Sequence, residues 1–263
     1  MIAQITTSLE AGITTFDHAD IYGEYTTEHQ FGKAFAKSGI ERERIQLISK
    51  CGIQHDGGTR DNGIKHYNYS KEYIIWSVEK SLKDLQTDYL DLLLLHRPSP
   101  LMHPTEIAAA VSILKETGKI IEFGVSNFTP SQFNLIDQTT SISVNQIEFS
   151  LTQYSAMHNG ILDQLLQKEV IPMSWSPLGS YFKETNAANK RIKKVLDVFT
   201  KKYNATEDQL LLAWILKHPS GVIPVVGTTS KVRLQNAVKA LDIELDLEDW
   251  FTLLVECQGH KVP

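Results

Sequence analysis

Short apolar runs of strand length alternate along this chain with longer stretches in which apolar residues recur every three or four positions. Seven of the short runs end in a polar or small residue, at Asp17, Lys50, His96, Ser126/Asn127, Gln146, Ser176 and Gly227/Thr228. A strand–helix repeat of this kind predicts an α/β fold, a parallel sheet closed into a (β/α)8 barrel. Such a barrel carries its chemistry where the strand C-termini meet. The pattern supplies seven strands where a complete barrel has eight, so a seven-stranded version is the expected fold.

The elements follow from the two periodicities. Ile2, Ile5 and Leu9 predict an opening helix that stops at Gly12. Strands are predicted at 13–17, 45–50, 89–96, 120–127, 143–149, 170–176 and 222–227. The third of these, with Leu90 and Leu92–Leu95, reads as a strand buried on both faces. Helices are predicted at 28–37, 70–85, 104–118, from 130 onward, near 160–168, and at 189–202, 206–217, 231–241 and 246–255. Thr129-Pro130 supplies an N-cap and an N1 proline, and Thr206 with Gln209 fits a capping box. Residues 52–69 form a long loop rich in Gly, His, Asn and Tyr, and loops of that length inside compact domains often serve function. No linker, composition break or low-complexity tract interrupts the chain, so residues 1–263 read as one domain.

Composition narrows the class. The 263 residues match one barrel, and a net charge of −5 argues against nucleic acid or an anionic membrane as partner. The first residues carry no basic segment, and no apolar run approaches the ~20 residues of a membrane span. The two cysteines, Cys51 and Cys257, form no CxxC and fit reduced thiols in the cytoplasm. His55, His66 and His103 read as solvated loop residues, because no metal-ligand spacing accompanies them.

The strand ends are where chemistry gathers. Asp17, Tyr22, Lys50 and His96 come from three consecutive ends and can converge. A tyrosine is a weak acid at neutral pH, and a neighbouring ammonium favours its anion. A carboxylate keeps that ammonium charged and aimed, and a histidine can orient a carbonyl oxygen. Together the four can give a proton to a developing alkoxide.

The residues from Thr14 to Gly23 (TTFDHADIYG) resemble the signature of the aldo-keto reductase family, an Asp followed five residues later by Tyr-Gly. Ile48-Ser49-Lys50, Asp88-Tyr89-Leu90-Asp91 leading to Leu95-His96, Gly118-Lys119-Ile120 through Gly124-Val125-Ser126-Asn127-Phe128, Asn145-Gln146 and Trp175-Ser176-Pro177-Leu178 resemble its later motifs, in order, from about Gly12 to Leu241. The resemblance is to bacterial-type NADP-dependent oxidoreductases. It implies reduction of an aldehyde or ketone to an alcohol by hydride transfer, with Tyr22 as general acid, Lys50 and Asp17 tuning it and His96 placing the carbonyl. Ser126, Asn127 and Gln146 would hold the nicotinamide carboxamide, and Trp175 would stack on the ring. Ser176, Leu178 and Gly179 would follow the pyrophosphate, and Gly227, Thr228, Thr229 and Arg233 the adenosine phosphate. Many relatives carry a lysine where Gly227 stands, so NADPH is the expected cofactor with NADH open. Substrate and oligomeric state stay open.

Relatives of this type begin with a strand ahead of the helix that opens this chain. About thirty residues are absent against that pattern. Their loss would leave open edges on the Asp17 and Gly227 strands and remove one pocket wall. A start placed downstream of the true one, a truncated product, or a barrel closing with seven strands or a borrowed one would each explain it. The alternative function is a cofactor-binding regulatory or inactive barrel without turnover; the intact Asp17/Tyr22/Lys50/His96 set speaks against it. A barrel lyase or isomerase would leave Ser126-Asn127 and Trp175-Ser176 unexplained.

Overall fold

The computed structural model describes residues 1–56 and 60–262. They form two compact units, 1–146 and 147–263, divided inside a strand. In the first unit, α1 (Ile2–Glu10) leads into β1 (Thr15–Asp17), α2 (Thr27–Ala36) and β2 (Gln46–Cys51). The predicted loop at 52–69 contains a feature the apolar pattern does not reveal, an antiparallel hairpin of β3 (Ile53–Gln54) and β4 (His66–Tyr67). Residues 57–59 of that loop lie outside the described residues. Next come α3 (Lys71–Leu85), β5 (Leu90–Leu95), α4 (Pro104–Glu116), β6 (Ile120–Ser126), α5 (Pro130–Asp137) and β7 (Val144–Glu148). The ladder runs β1-β2-β5-β6-β7, all parallel.

Helix ends explain why these boundaries hold. Ser70 caps α3 by accepting from the backbone N–H of Tyr73, and Thr129 with Gln132 forms a capping box on α5. In β5 every residue except Asp91 is buried, as a strand covered on both faces requires. Asp91 is held by Arg42 at the opposite end of the strands from the predicted chemistry.

The second unit contains α6 (Ile161–Gln167), β8 (Ile171–Trp175), α7 (Ala187–Lys202), α8 (Glu207–Leu216), β9 (Ile223–Pro224), α9 (Lys231–Lys239) and α10 (Leu247–Gln258). Its core joins Phe149, Leu162, Ile192, Leu196, Trp214 and Leu253. Strand β9 pairs parallel with β8 but is far shorter than the 222–227 run predicted. One more ladder bond follows, from Val225 N–H to Ser174 C=O, and the chain then leaves the sheet before Gly227. The parallel strands number seven among the described residues.

Candidate active site

Register sets the first pair. Asp17 lies opposite Ile48 on β2, and Lys50 opposite Leu94 on β5. Lys50 is 1% exposed, and an ammonium so deeply buried is tolerable only if its donors are satisfied. Its Nζ donates to both Asp17 oxygens at 2.7 Å and to the His18 carbonyl at 2.8 Å. The Tyr22 hydroxyl stands 3.4 Å from the same nitrogen. Asp17 Oδ2 also accepts from Gln146 Nε2 at 3.3 Å. Tyr22 itself is 38% exposed, so a buried cation meets a residue that remains open to the outside.

His96 follows β5, and its backbone N–H donates to the Cys51 carbonyl at 2.9 Å. Its ring meets the Tyr22 ring edge-on, with centroids 5.8 Å apart. Burial first, then the charges of Lys50, Arg97 and Lys65, push the imidazole down to about 3. It is therefore neutral at physiological pH and offers one N–H rather than a charge. Nδ1 is buried without a partner, which leaves Nε2 as the nitrogen to meet a ligand.

Ser126 ends β6 directly opposite Gln146 on β7. The Ser126 hydroxyl donates to the Gln146 carbonyl at 2.9 Å, and Asn127 Nδ2 donates to Ser126 Oγ at 2.7 Å. Asn127 adopts a left-handed φ of 62°, which turns its side chain back onto the strand end. Asn145 behaves differently from its neighbour. Strand alternation sends its side chain away from the site, where Nδ2 donates to the Phe128 carbonyl at 3.0 Å.

In the second unit Trp175 ends β8, half-buried, and Ser176 takes a left-handed φ of 50°. Gly179 closes the turn through its N–H to the Ser176 carbonyl at 2.8 Å. Its own φ is 54°, and a Cβ there would lie 2.0 Å from Thr152 Oγ1 and 2.4 Å from Ser150 Oγ, so only glycine fits. The result is a small, hydroxyl-rimmed turn with Leu178 packed into the unit's core. Further on, Thr228 Oγ1 accepts from Ser230 N–H, and Ser230 caps α9 by accepting from Arg233 N–H. Thr229 lies between them, and a Cβ at Gly227 would meet open space. Arg233 is an exposed cation in the first turn of a helix, where the macrodipole favours an anion. These residues suit the phosphates of a dinucleotide.

The sequence matches the profile of the Aldo/keto reductase family over residues 2–254. The chain belongs to that family. It is 40% identical to the uncharacterized oxidoreductase YcsN of Bacillus subtilis, across 100% of this chain and 90% of that protein. It is 39% identical to a 6-dehydroglucose reductase of Agrobacterium fabrum, across 99% of this chain and 88% of that protein. The crystal structure of a thermostable aldo-keto reductase, Tm1743, with the inhibitor epalrestat is similar at a TM-score of 0.82 and 26% identity, covering 97% of this chain and 86% of that one. An aldo-keto reductase from Klebsiella pneumoniae in complex with NADPH is similar at a TM-score of 0.79 and 26% identity, covering 96% and 82%. The fold of this aldo-keto reductase is thus the family's (β/α) barrel with seven parallel strands described.

Several residues near the site escape sequence reasoning. Tyr69 is 5% exposed, and its hydroxyl donates to the Arg97 carbonyl. It packs where a Cβ at Gly52 would sit 2.1 Å from its ring, so Gly52 is required there. Tyr67 and Phe182 are exposed. Asp20, inside the Tyr22 motif, is buried and paired with Arg60, whose place in a loop without hydrophobic periodicity gives no signal of it. Among the described residues no group of three His, Cys, Asp or Glu side chains gathers to hold a metal, and no helix is long and apolar enough to cross a membrane.

Proposed function

We propose that this chain reduces an aldehyde or ketone to an alcohol with NADPH, and that Tyr22 is its general acid. One observation carries the reading: a buried Lys50 ammonium held by the Asp17 carboxylate and aimed at an accessible Tyr22 hydroxyl. Bound NADPH supplies the hydride. As negative charge grows on the carbonyl oxygen, the Tyr22 hydroxyl donates its proton to it. Lys50 stabilises the tyrosinate left behind, and Asp17 fixes Lys50 without competing for the substrate. Neutral His96 donates a hydrogen bond that orients the carbonyl without drawing in a counter-anion.

The same reading gives Ser126, Asn127 and Gln146 the carboxamide and Trp175 the nicotinamide face. Ser176, Leu178 and Gly179 follow the pyrophosphate, and Gly227, Thr228, Thr229 and Arg233 take the adenosine phosphate. Residues 1–263 act as one catalytic domain, a reading supported by a unit boundary that falls within strand β7. A cytoplasmic location is supported by two free cysteines, Cys51 and Cys257. The test is loss of reduced-cofactor absorbance with NADPH and a carbonyl panel. Sugar aldehydes belong in it, because two relatives are named as 6-dehydroglucose reductases. A folded protein inert toward the whole panel overturns the proposal.

A further inference from the structure

Three successive residues after Tyr22 adopt left-handed backbone: Gly23 at φ 56°, Glu24 at 54° and Tyr25 at 68°. For Glu24 and Tyr25 this conformation is strained, and such strain persists only where the surroundings over-determine it. Tyr22 rides on this turn, so whatever holds the turn also aims the proton donor.

The holding group is Arg60. The Arg60 guanidinium lies 4.0 Å above the Tyr25 ring, with Trp76 at 5.0 Å and Tyr73 at 5.8 Å. Its Nη1 donates to Gln54 Oε1 and to the Tyr73 hydroxyl, both at 2.8 Å. Its Nη2 pairs with Asp20 Oδ2 at 3.6 Å. Asp20 is buried, accepts from the Ser77 hydroxyl at 3.1 Å, and donates its backbone N–H to the Lys50 carbonyl at 3.0 Å. Tyr25 Oη accepts from His55 N–H at 2.8 Å. One planar cation therefore grips the chain two residues before and three residues after Tyr22. It tethers both points to β3 through Gln54 and to α3 through Tyr73. A stacked, forked contact of this kind suits arginine and not lysine.

We propose that Arg60 is a positioning residue that holds the Tyr22 turn in its strained, proton-donating form. The inference rests on the function proposed above. Arg60 acts through Tyr22.

The decisive measurement is a pair of backgrounds. Arg60→Ala should lower kcat tenfold to a hundredfold while NADPH affinity, read by fluorescence titration, changes less than twofold. In the Tyr22→Phe background the same substitution should change kcat less than threefold, because the residue it positions is gone. Arg60→Lys, which keeps the charge and loses the fork, should fall between wild type and Arg60→Ala, and it replaces Arg60→Ala if that variant does not fold. Equal losses in both backgrounds, or a kcat within threefold of wild type, overturn the proposal. A second readout needs no turnover. Amide hydrogen exchange across residues 19–26 should quicken at least tenfold in the variant, and unchanged exchange there overturns the proposal. A wild-type protein inert toward every carbonyl defeats the functional reading alone, since the exchange result still decides the role of Arg60.

Discussion

Two cation–carboxylate pairs serve strand β2 at opposite ends, and they do different work. Ahead of the strand, Arg42 places four N–H groups: Nε on Thr87, Nη1 on the Ile45 carbonyl, and Nη2 on the Tyr89 carbonyl and on Asp91 at 2.6 Å. Asp91 in turn accepts from Leu47 N–H at 2.7 Å. These partners are protein groups with no proton to trade. At the far end, Lys50 has its carboxylate and the His18 carbonyl too, but its last contact is an exposed phenol at 3.4 Å. A saturated pair fixes two strands. A pair whose cation also faces an accessible titratable hydroxyl can support a proton transfer. Partner identity, more than burial, separates structure from chemistry.

Breaking the reactive pair should have the largest effect. Tyr22→Phe removes the proton and Lys50→Met removes the charge that stabilises the tyrosinate, and each should lower kcat by about 10²–10⁴, or ~3–5 kcal/mol in the barrier. Steady-state kinetics with unchanged NADPH affinity would check it. A kcat within fivefold of wild type in Tyr22→Phe would sink the assignment.

The saturated pair should respond in the other currency. Arg42→Ala strands Asp91 between strands, and the pair's side chains are only 14% and 21% exposed. The expected loss is about 2–3 kcal/mol of folding stability, below the full value for a buried pair because both groups retain some solvent. Denaturant unfolding reads this directly. The kcat of the folded fraction should stay within twofold, and a larger fall would mean that the two ends of β2 are coupled.

A third carboxylate beside β2 sharpens the contrast because no cation pairs with it among the described residues. Glu28 is 4% exposed, accepts from the Ser49 and Ser81 hydroxyls, and is raised by burial to about 7. The native state therefore keeps its proton at pH values where the unfolded chain has released it. Its contribution is complete below the unfolded value near 4.5 and is lost as pH rises through about 7. Glu28→Gln should raise stability by about 1–3 kcal/mol at pH 8 and by almost nothing at pH 4. Thermal melts across that range would show two curves converging on the acid side. Parallel curves would mean that Glu28 does not titrate there.

What the sequence made legible follows the same division. Asp17, Lys50 and His96 stand at the ends of apolar runs, with Tyr22 five residues past the first, and the runs carry them together once strand register is set. Ser126 opposite Gln146 was equally readable, for the same reason. Asn145 was not separable from Gln146 until the alternation of β7 turned one inward and the other toward Phe128. The β3–β4 hairpin and Arg60 were invisible. Two-residue strands carry no periodicity, and a guanidinium stacked on Tyr25 depends on a loop fold that no local pattern encodes. Strand β9 was overextended because apolar residues at Val222, Val225 and Val226 read as strand, whereas the ladder ends almost as soon as it begins.

Arg233 tests the comparison where both earlier pairs are silent, because it is a cation whose proposed anion belongs to the cofactor. It is exposed and stands in the first turn of α9, on the wrong side of the helix dipole. A phosphate beside it reverses that penalty and is gripped by a fork as well as by a charge. Neutralising it should therefore weaken NADPH about tenfold, near 1.4 kcal/mol, and leave NADH binding within twofold. Fluorescence titration of Arg233→Ala with both cofactors reads the difference. Equal weakening of the two would move Arg233 from the distinguishing phosphate to the shared pyrophosphate. No weakening of either would leave Thr228 and Thr229 as the only side chains assigned there. Since the interaction is exposed, the tenfold effect should shrink as salt rises, whereas the loss in Lys50→Met should not, and that contrast separates a screened ligand contact from a buried catalytic one.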